Sequence, residues 1–417
     1  MKVFKFGGAS VKDADGVRNV ARVLSRFPAD DLLIVVSAMG KTTNMLEEVL
    51  RAWLVGEDTT PLVDTLETRH RSVLEEVAPG DAAAAAKLAA SFTGLRAMLA
   101  TPANGERDMH YDQVVSQGEL WSTMVVSAFL HASGIAHTWT DARDVVRTDA
   151  RHRAAKVDWE ASEKAASALR ALFANPPTRI VTQGFIGATP ESLTTTLGRE
   201  GSDFSAAIFA YLLDAESVTI WKDVPGMFNA DPHRFPDTKL LAHISYKEAI
   251  ELSYFGASVI HPRTLQPLQR KGIPLYVRSF VDLDAPGSTI DARSDSDSLV
   301  PSFILKPDQL LVSMTPRDLS FVVEENLSDI FGMFARRGVR INLMQNSALA
   351  FTVCIDNDDR VKPLVMDLRH DYEVLWNEGV DLLTVRHPDE ATLERLTEGR
   401  EVLVEQRSRV TARYVLR

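Results

Sequence analysis

The sequence predicts an α/β sandwich with a largely parallel sheet, followed by a smaller α+β region. Apolar strand patterns alternate with helical patterns over about 290 residues, and "DLLIVVSAMG" contains a continuous apolar run, as a strand buried on both faces does. The stretch "DAPGSTIDARSDSDSLVPS" (284–302) then replaces apolar runs with Pro, Gly, Ser and Asp. We therefore expect a first domain over residues 1–300 and a second region over 301–417.

The chain opens with a β-α-β pattern. Residues 2–6 form an apolar strand, residues 11–26 repeat apolar side chains at helical spacing, and "DLLIVVSAMG" is a continuous apolar run. Residues 41–131 are mostly helical in pattern and include the alanine-rich "DAAAAAKLAA". Further strands are predicted in "RIVTQGFIGA", "SVTIWKDVPGMF" and "IPLYVRSF", with a helix in "GSDFSAAIFAYLL". This alternation predicts the parallel sheet.

The C-terminal region reads as a βαββαβ unit over about 308–378 and a shortened βαββ copy over about 379–417. The helix "LSDIFGMFARRG" is closed by Gly338, and "YEVLWNEG" and "VDLLTVRH" are predicted as two strands. "EVLVEQ" and "VTARYVLR" are expected to form a hairpin.

Composition excludes several classes of function. The net charge is -11 and no dense Lys/Arg block is present, which argues against nucleic-acid binding and requires any anion site to be locally basic. The only cysteine, Cys354, lies in "ALAFTVCID" and is interpreted as a buried strand thiol. A strand begins at the N-terminus and no apolar run has the length of a membrane span, so we expect a cytoplasmic protein with no membrane partner.

Three glycine-containing turns follow strands: "FKFGGAS", "VTQGFIGATP" and "TTTLGREGSDFSAA". Glycines let phosphate oxygens approach backbone N–H groups, and open α/β sheets bind ligands at the carboxyl ends of their strands. Lys5, next to the first pair of glycines, is either an edge lysine or a phosphate clamp.

Other polar residues allow two interpretations. Ser202 or Asp203 caps the helix that follows "LGREG", or Arg199 binds a substrate carboxylate while Asp203 serves phosphoryl transfer. Glu119 in "SQGE" either caps a helix or holds a substrate ammonium, and Asp223 is either a turn former or a ligand. No Walker sequence, protein-kinase catalytic loop or His/Cys cluster is present, and the scattered histidines are interpreted as structural.

Together these motifs resemble one family. "KFGGAS", "VVSAMGKTTNML", "SQGE", "TLGREGSDFSAA", "WKDVPGMFNADP" and "FGASVIHPRTL" occur in the order and at the spacings of the aspartate kinases, within the amino acid kinase superfamily. The resemblance covers essentially the whole chain. The C-terminal units resemble ACT domains, which in this family bind an end-product amino acid and hold a dimer together.

The resemblance implies ATP-dependent phosphorylation of the side-chain carboxylate of L-aspartate to 4-phospho-L-aspartate. This is the first step towards lysine, threonine and methionine. It also implies ATP as substrate, Mg²⁺ without a direct protein ligand, a homodimer formed through the ACT-like region, and an amino-acid effector whose identity stays open.

The resemblance also implies roles for individual residues. The catalytic residues would be Lys5 and Asp203. The substrate-binding residues would be Ser37, Glu119, Arg199 and Ser202. The ATP-binding residues would be Lys5, Gly7, Gly8, Ser10, Lys222, Asp223 and Phe228. The effector residues would be Ser328, Asp329, Ile330, Ile341, Asn342 and Asn346.

The chain departs from the family pattern at three positions. Glu200 replaces a glycine of the family's Gly-Arg-Gly-Gly-Ser-Asp, and we expect an ordinary backbone conformation there with the side chain turned away. Ser258 replaces a nucleotide-binding lysine, for which Lys222 is a hypothetical substitute. Asn342 stands where lysine-inhibited relatives often have aspartate.

Two alternatives stay open. The first is another amino acid kinase, acting on N-acetylglutamate, glutamate, a nucleotide or carbamate, although such relatives lack "SQGE" together with ACT-like units. A regulatory amino-acid sensor with an inactive kinase lobe is the alternative from a different class, and the retained Lys5, Arg199 and Asp203 argue against it.

Overall fold

A computed structural model describes residues 1–174, 177–257, 260–318 and 320–417. The chain divides into two compact units, which are described separately. The first comprises Met1–Met227, Leu240–Ile250 and Val259–Ser294, and the second comprises Phe228–Lys239, Glu251–Ser258 and Asp295–Arg417. Ser258 itself lies outside the described residues.

The first unit contains an eight-stranded sheet with the order β3-β4-β2-β1-β7-β9-β10-β8. Its strands are β1 (Lys2–Phe6), β2 (Leu32–Val36), β3 (Thr138–Trp139), β4 (Arg179–Gln183), β7 (Ser217–Lys222), β8 (His243–Ser245), β9 (Leu275–Ser279) and β10 (Ser288–Asp291). Neighbouring strands are parallel except at β9 and β10, which are antiparallel. A separate hairpin joins β5 (Ile186–Ala188) and β6 (Thr194–Thr196). The predicted largely parallel α/β fold is confirmed.

Helices connect these strands, as parallel pairing requires. They are α1 (Ala14–Ser25), α2 (Thr42–Leu54), α3 (Thr60–Val77), α4 (Ala82–Leu99), α5 (Arg107–Val115), α6 (Gln117–Ala132), α7 (Trp159–Leu172), α8 (Gly201–Leu212), α9 (Tyr246–Phe255) and α10 (Pro262–Lys271). The helix α8 contacts β1, β2 and β7, and α6 contacts β2 and β4. The central strands are therefore buried, which explains their apolar sequences.

Alternation along β1 determines where Lys5 points. Successive side chains of a strand point to opposite faces of the sheet. Phe4 and Phe6 both pack on Trp221, at ring-centroid distances of 5.6 and 6.3 Å. Lys5 therefore points to the other face, towards α8.

The predicted linker over 284–302 contains one strand and the start of another. Within it, β10 pairs with β8 and β9, and the next strand begins at Ser302. In β10, Ser288 and Ile290 are buried while Thr289 and Asp291 are partly exposed. This alternation is too short to stand out among the surrounding Ser and Asp residues, so β10 was not predicted from the sequence.

The second unit contains a six-stranded antiparallel sheet with the order β12-β13-β11-β14-β16-β15. Its strands are β11 (Ser302–Pro316), β12 (Ile341–Asn346), β13 (Phe351–Asp356), β14 (Tyr372–Arg386), β15 (Val402–Arg407) and β16 (Thr411–Leu416). Its helices are α11 (Glu324–Arg337), α12 (Val361–Leu368) and α13 (Glu390–Thr397). One apolar cluster includes Phe334 and Leu364, and another includes Leu393 and Tyr414. The region thus contains two small α+β modules that share one sheet.

One expectation for this unit is wrong. "YEVLWNEG" and "VDLLTVRH" form the single strand β14, which pairs with β11 over its whole length. Gly379 inside β14 has a φ of 66°, and the pairing shifts register between Gln309 and Leu311 of β11. A glycine and a bulge let the strand bend without ending, whereas the sequence pattern indicated a turn there.

Cys354 is fully buried in β13, as predicted, and burial raises the pKa of its thiol to about 12. In the described part of the chain, no helix combines the length and apolar character needed to cross a bilayer.

Candidate active site

A cavity of about 580 Å³ lies in the first unit, where β1, β2 and β7 end. Because these strands are parallel, their carboxyl ends lie at one edge of the sheet, where open α/β folds bind ligands. The cavity is lined by Lys5, Gly8, Ser37, Ala38, Gly40, Thr43, Tyr111, Glu119, Arg153, Phe185, Gly198, Arg199, Glu200, Gly201, Ser202, Asp203 and Lys222. The structure thus brings together most of the residues singled out from separate motifs.

A buried ion pair lies at the bottom of the cavity. Lys5 Nζ is 2.6 Å from Asp203 Oδ1, and the two residues are only 8% and 4% exposed. Asp203 reaches Lys5 because it lies in the first turn of α8, which contacts β1. Lys222 Nζ lies 3.8 Å from the other carboxylate oxygen of Asp203. One carboxylate thus sits between two ammonium groups, leaving an excess of positive charge for an anionic ligand.

Glu119 lies in the first turn of α6 and is 3% exposed. Its Oε1 accepts a hydrogen bond of 3.3 Å from the backbone N–H of Ala38, while its Oε2 has no partner among the described residues. Burial raises the pKa of Glu119 to about 8, and the backbone hydrogen bond and the Lys5 charge oppose this shift. A buried carboxylate without its own counterion is suited to holding a ligand cation.

Arg199 lies in the loop between β6 and α8 and is exposed. It forms no ion pair or hydrogen bond with any residue in the described ranges. Ser202 is held beside the end of β4 because Gly184 has no side chain: a Cβ there would lie 2.5 Å from Ser202 Cβ. Ser202, in the first turn of α8, and the unpaired guanidinium of Arg199 therefore both line the cavity.

The expectation for Glu200 is wrong. Its backbone is left-handed, with φ 54° and ψ 28°, and its side chain lines the cavity with Oε2 buried and unpartnered among the described residues. The start of α8 explains the conformation: the Glu200 carbonyl accepts hydrogen bonds from the N–H groups of Asp203 and Phe204. A left-handed backbone is favourable for glycine and costly for other residues, so a glycine would be better suited to this position.

We expect Glu200→Gly to raise the free energy of unfolding by about 1 kcal/mol, because a left-handed conformation costs a non-glycine residue roughly that much. Urea unfolding followed by circular dichroism measures the change. Ser192→Gly is the matched control, since Ser192 also has a positive φ, of 66°, but does not line the cavity. If Glu200→Gly destabilises the protein while Ser192→Gly does not, contacts of the Glu200 side chain outweigh its backbone strain.

Several predicted nucleotide residues do not line this cavity. Ser10 is 2% exposed, and its hydroxyl donates to the carbonyl of Trp221, which ties the 3-10 helix Gly8–Val11 to β7. Gly7 and Asp223 lie outside the lining, and Phe228 belongs to the second unit. Gly8 does line the cavity, and a Cβ there would lie 2.8 Å from the Ala38 carbonyl oxygen.

Arg153 and Tyr111 also line the cavity and were not predicted from the sequence. Arg153 has a φ of 63°, and its guanidinium lies 4.4 Å from the ring centroid of Tyr111. The buried carboxylate of Asp112 fixes this loop: it accepts from the backbone N–H of Arg153 and from Thr196 Oγ1, and lies 2.7 Å from His152 Nδ1. The only signal was the basic stretch "RHRAAK", which has no periodicity to place it near the other motifs.

The predicted effector residues lie in α11 and β12 of the second unit. Ser328, Asp329 and Asn346 are exposed, whereas the side chain of Ile330 is in the apolar core. Asn342 is buried, and its amide group bonds to Gln309, Asp356 and Lys306. The side chains of Ile330 and Asn342 are therefore committed to internal contacts.

The parallel α/β fold with a charged cavity at the carboxyl ends of its central strands is assigned to a family by comparison with known proteins. The sequence profile of the amino acid kinase family matches residues 1–279 of the chain. The chain therefore belongs to the amino acid kinase family.

Within that family the relatives are aspartokinases. Lysine-sensitive aspartokinase 3 of Escherichia coli K12 is 32% identical over 355 residues, 85% of this chain and 78% of that protein. The bifunctional aspartokinase/homoserine dehydrogenase 2 of Arabidopsis thaliana is 34% identical over 364 residues, 84% of this chain and 39% of that protein. The chain thus spans about two fifths of the length of the bifunctional relatives.

A structural comparison agrees. The crystal structure of E. coli aspartokinase III in complex with lysine and aspartate aligns with a TM-score of 0.84 and 27% identity, over 100% of this chain and 95% of that one. The same protein in complex with aspartate and ADP aligns with a TM-score of 0.82, over 100% of this chain and 96% of that one. The family resemblance predicted from the sequence motifs is confirmed.

Proposed function

We propose that this protein transfers the γ-phosphoryl group of ATP to the side-chain carboxylate of L-aspartate. The observation that carries the proposal is one cavity that combines a buried carboxylate (Glu119), an unpaired guanidinium (Arg199) and a buried ammonium (Lys5). An amino acid with an acidic side chain needs these three partners. E. coli aspartokinase III, which this chain resembles, holds aspartate and ADP in its crystal structure.

Substrate binding follows from the charges. Glu119 holds the α-ammonium of aspartate, and Arg199 pairs with its α-carboxylate through two parallel N–H donors. Ser37 and Ser202 lie in the same cavity and complete the substrate site. The substrate's side-chain carboxylate is left to face Lys5.

Phosphoryl transfer then joins two anions. A side-chain carboxylate oxygen attacks the γ-phosphorus, the bond to the β–γ bridging oxygen breaks, and ADP leaves with 4-phospho-L-aspartate as the other product. Lys5, fixed by Asp203, contacts the transferring group and offsets the repulsion between the reactants. Lys222 adds a second positive charge from the end of β7.

Mg²⁺ fits this site as an ion carried by the nucleotide. No cluster of three or more His, Cys, Asp or Glu side chains in the described residues is able to hold a metal by itself. Asp203 and the unpartnered Oε2 of Glu200 are carboxylate oxygens that line the cavity, and Mg²⁺ commonly binds one or two carboxylates together with substrate phosphates. When bound, the ion neutralises phosphate charge.

The remaining assignments are proposals. Within the first unit, the residues assigned to the nucleotide site are Gly7, Gly8, Ser10, Lys222 and Asp223. Residues 1–300 form the catalytic domain, and 301–417 form an ACT-like region that mediates a homodimer. An amino-acid effector binds near Ser328, Asp329, Ile341 and Asn346, as the similarity to a lysine-sensitive aspartokinase supports.

One assay tests the proposed function. The purified chain is incubated with ATP, Mg²⁺ and L-aspartate, ADP release is measured, and hydroxylamine traps the acyl phosphate as a hydroxamate. We expect both signals with aspartate and neither with N-acetylglutamate, glutamate or carbamate. ADP release with one of those acceptors instead would contradict the substrate assignment, and no release with any acceptor would favour an inactive sensor.

Glu119 predicts a pH dependence. Because the pKa of its carboxyl is raised to about 8, a growing fraction of the free enzyme has a protonated, neutral Glu119 below that pH. A neutral carboxyl group holds an ammonium poorly, so kcat/KM for aspartate should fall about tenfold for each pH unit below 8. Steady-state rates between pH 6 and 9 measure it.

Glu119→Gln is the control for this profile. The glutamine side chain is uncharged at every pH. The kcat/KM of the variant should therefore be lower than that of the wild type at pH 8.5, and it should not change with pH between 6 and 8. An unchanged slope in Glu119→Gln would assign the titration to another group.

A further inference from the structure

One buried carboxylate of the first unit has no part in the proposed chemistry. Asp112 lies in α5 and is fully buried, and it does not line the active-site cavity. Burial raises the pKa of its carboxyl, and hydrogen bonds from Thr196, His152 and the Arg153 backbone oppose that shift. A carboxylate is costly to bury unless its oxygens are well bonded. The partners of Asp112 therefore indicate its role.

The carboxylate of Asp112 bonds to two other segments of the chain. Its Oδ1 accepts from Thr196 Oγ1 at 2.6 Å and from the backbone N–H of Arg153 at 3.1 Å. Its Oδ2 lies 2.7 Å from His152 Nδ1. Thr196 is the last residue of β6, while His152 and Arg153 belong to the loop that precedes α7. One carboxylate thus joins α5, this loop and the end of β6.

Further contacts extend from these segments to Arg199. The backbone N–H of Ala155 donates to the Thr196 carbonyl at 3.0 Å. A Cβ on Gly198 would lie 3.0 Å from the Arg153 carbonyl oxygen, so the two loops pack backbone against backbone there. Arg199 is the next residue after Gly198. Its position therefore depends on the segments that the buried carboxylate joins.

The backbone of Arg153 is strained at the point where Asp112 bonds to it. Arg153 has a φ of 63°, a left-handed conformation that is costly for a residue other than glycine. Such strain persists where surrounding contacts hold it, and it is concentrated at ligand sites. The N–H group that Asp112 accepts belongs to the strained residue itself. Without the carboxylate, the loop would relax and lose its packing against Gly198.

We propose that Asp112 is a positioning residue for substrate binding, which holds the loop between β6 and α8 so that Arg199 meets the α-carboxylate of aspartate. The inference rests on the proposed function, in which Arg199 binds that carboxylate. Because Asp112 does not line the cavity, it acts through Arg199 and not on the substrate. Its loss should therefore weaken aspartate binding and spare phosphoryl transfer.

The main variant is Asp112→Ala, assayed for ADP release over a range of aspartate and ATP concentrations. We expect the KM for aspartate to rise about tenfold, because small displacements of a binding group are costly. The kcat and the KM for ATP should change by about twofold or less, since Lys5 lies on β1, away from these contacts. An equal loss of kcat and of affinity for both substrates would mean general damage to the fold and would overturn the proposal.

A double variant tests whether Asp112 acts through Arg199. Asp112→Ala added to Arg199→Ala should change the KM for aspartate by about twofold or less, because the guanidinium that Asp112 positions is already absent. A rise as large as in the wild-type background would mean that Asp112 acts on another part of the cavity, and the proposal would be wrong.

Asp291→Ala is the matched control. Asp291 lies in the same unit, accepts from the backbone N–H of Arg293 at 2.8 Å and lies 2.8 Å from His243 Nε2, so it forms the same kind of pair with a histidine. It is in β10 and does not line the cavity. The control should keep the wild-type KM for aspartate. Thermal unfolding by circular dichroism compares the stability of the two variants.

Two milder variants cover the case in which Asp112→Ala does not fold. Thr196→Val keeps the shape of the side chain and removes one donor to Asp112, so it should raise the KM for aspartate with the same selectivity. Asp112→Asn keeps one oxygen that accepts from Thr196 and Arg153, and should retain most of the affinity for aspartate. Equal KM values for aspartate in Thr196→Val and the wild type would contradict the proposal.

Hydrogen exchange measured by mass spectrometry gives a readout that needs no turnover. Amide exchange over residues 194–200 should be faster in Asp112→Ala than in the wild type, and unchanged in Asp291→Ala. If the wild type releases no ADP with aspartate, the proposed function fails, and exchange alone then decides the inference. Unchanged exchange over 194–200 in Asp112→Ala would overturn it.

Discussion

Replacing Lys5 by methionine is expected to lower kcat by ~10²-fold or more, because Lys5 is assigned to the charge that develops during phosphoryl transfer. The KM values for aspartate and ATP should change much less. Methionine has similar length and no charge, so the variant removes the electrostatic contribution with little change in volume. Stopped assays of ADP release at saturating substrates measure kcat.

Lys2→Met is the matched control for this variant. Lys2 lies on the same strand, but its ammonium pairs with Asp30 and is partly exposed. The control should keep nearly full turnover. A Lys5→Met enzyme with more than about a tenth of wild-type kcat would place Lys5 outside direct contact with the transferring group, since such donors contribute ~10²-fold or more.

Replacing Lys5 also breaks its buried ion pair with Asp203. Asp203 is 4% exposed and would lose its 2.6 Å partner, leaving Lys222 at 3.8 Å as its ion-pair partner among the described residues. An uncompensated buried carboxylate is destabilising. Thermal unfolding should therefore accompany the kinetics, so that loss of turnover can be separated from loss of folded protein.

The central strands were predicted well from the sequence because the pattern that indicates them lies within a few consecutive residues. β2 is buried at every residue, and its continuous apolar run indicates such a strand without knowledge of its partners. β10 and the undivided β14 were missed because they depend on pairing. β10 exists through its bonds to β8 and β9, and β14 continues past Gly379 because β11 pairs with it on both sides.

The site residues likewise divide into those indicated by local motifs and those placed by contacts with distant residues. Lys5 and Asp203 were singled out because each lies in a glycine-rich motif at a strand or helix end. Arg153 was missed because its place in the cavity depends on Asp112, a residue 41 positions earlier in the chain that bonds to its backbone. Glu200 was misjudged because its conformation is required by the hydrogen bonds at the start of α8 and opposed by the residue type.

Two guanidinium groups line the cavity, and their contacts distinguish them. Arg153 is stacked over Tyr111 and lies 3.4 Å from the carboxylate of Asp108. Arg199 has no ion pair or hydrogen bond to a described residue. A guanidinium that already has an anionic partner gains less from a substrate carboxylate, so the α-carboxylate of aspartate is assigned to Arg199.

Arg199→Ala is therefore expected to raise the KM for aspartate by about tenfold to a hundredfold, the scale of a lost charge-assisted pair at roughly 1.5–3 kcal/mol. The KM for ATP should change little, and kcat should fall less than kcat/KM because substrate binding is the main loss. Arg153→Ala is the matched control, with an expected rise of about threefold or less in the same KM. Initial rates over a range of aspartate concentrations at saturating ATP measure both. The reverse order, with Arg153→Ala raising the aspartate KM strongly and Arg199→Ala leaving it unchanged, would move the α-carboxylate to Arg153 and turn the substrate around in the cavity.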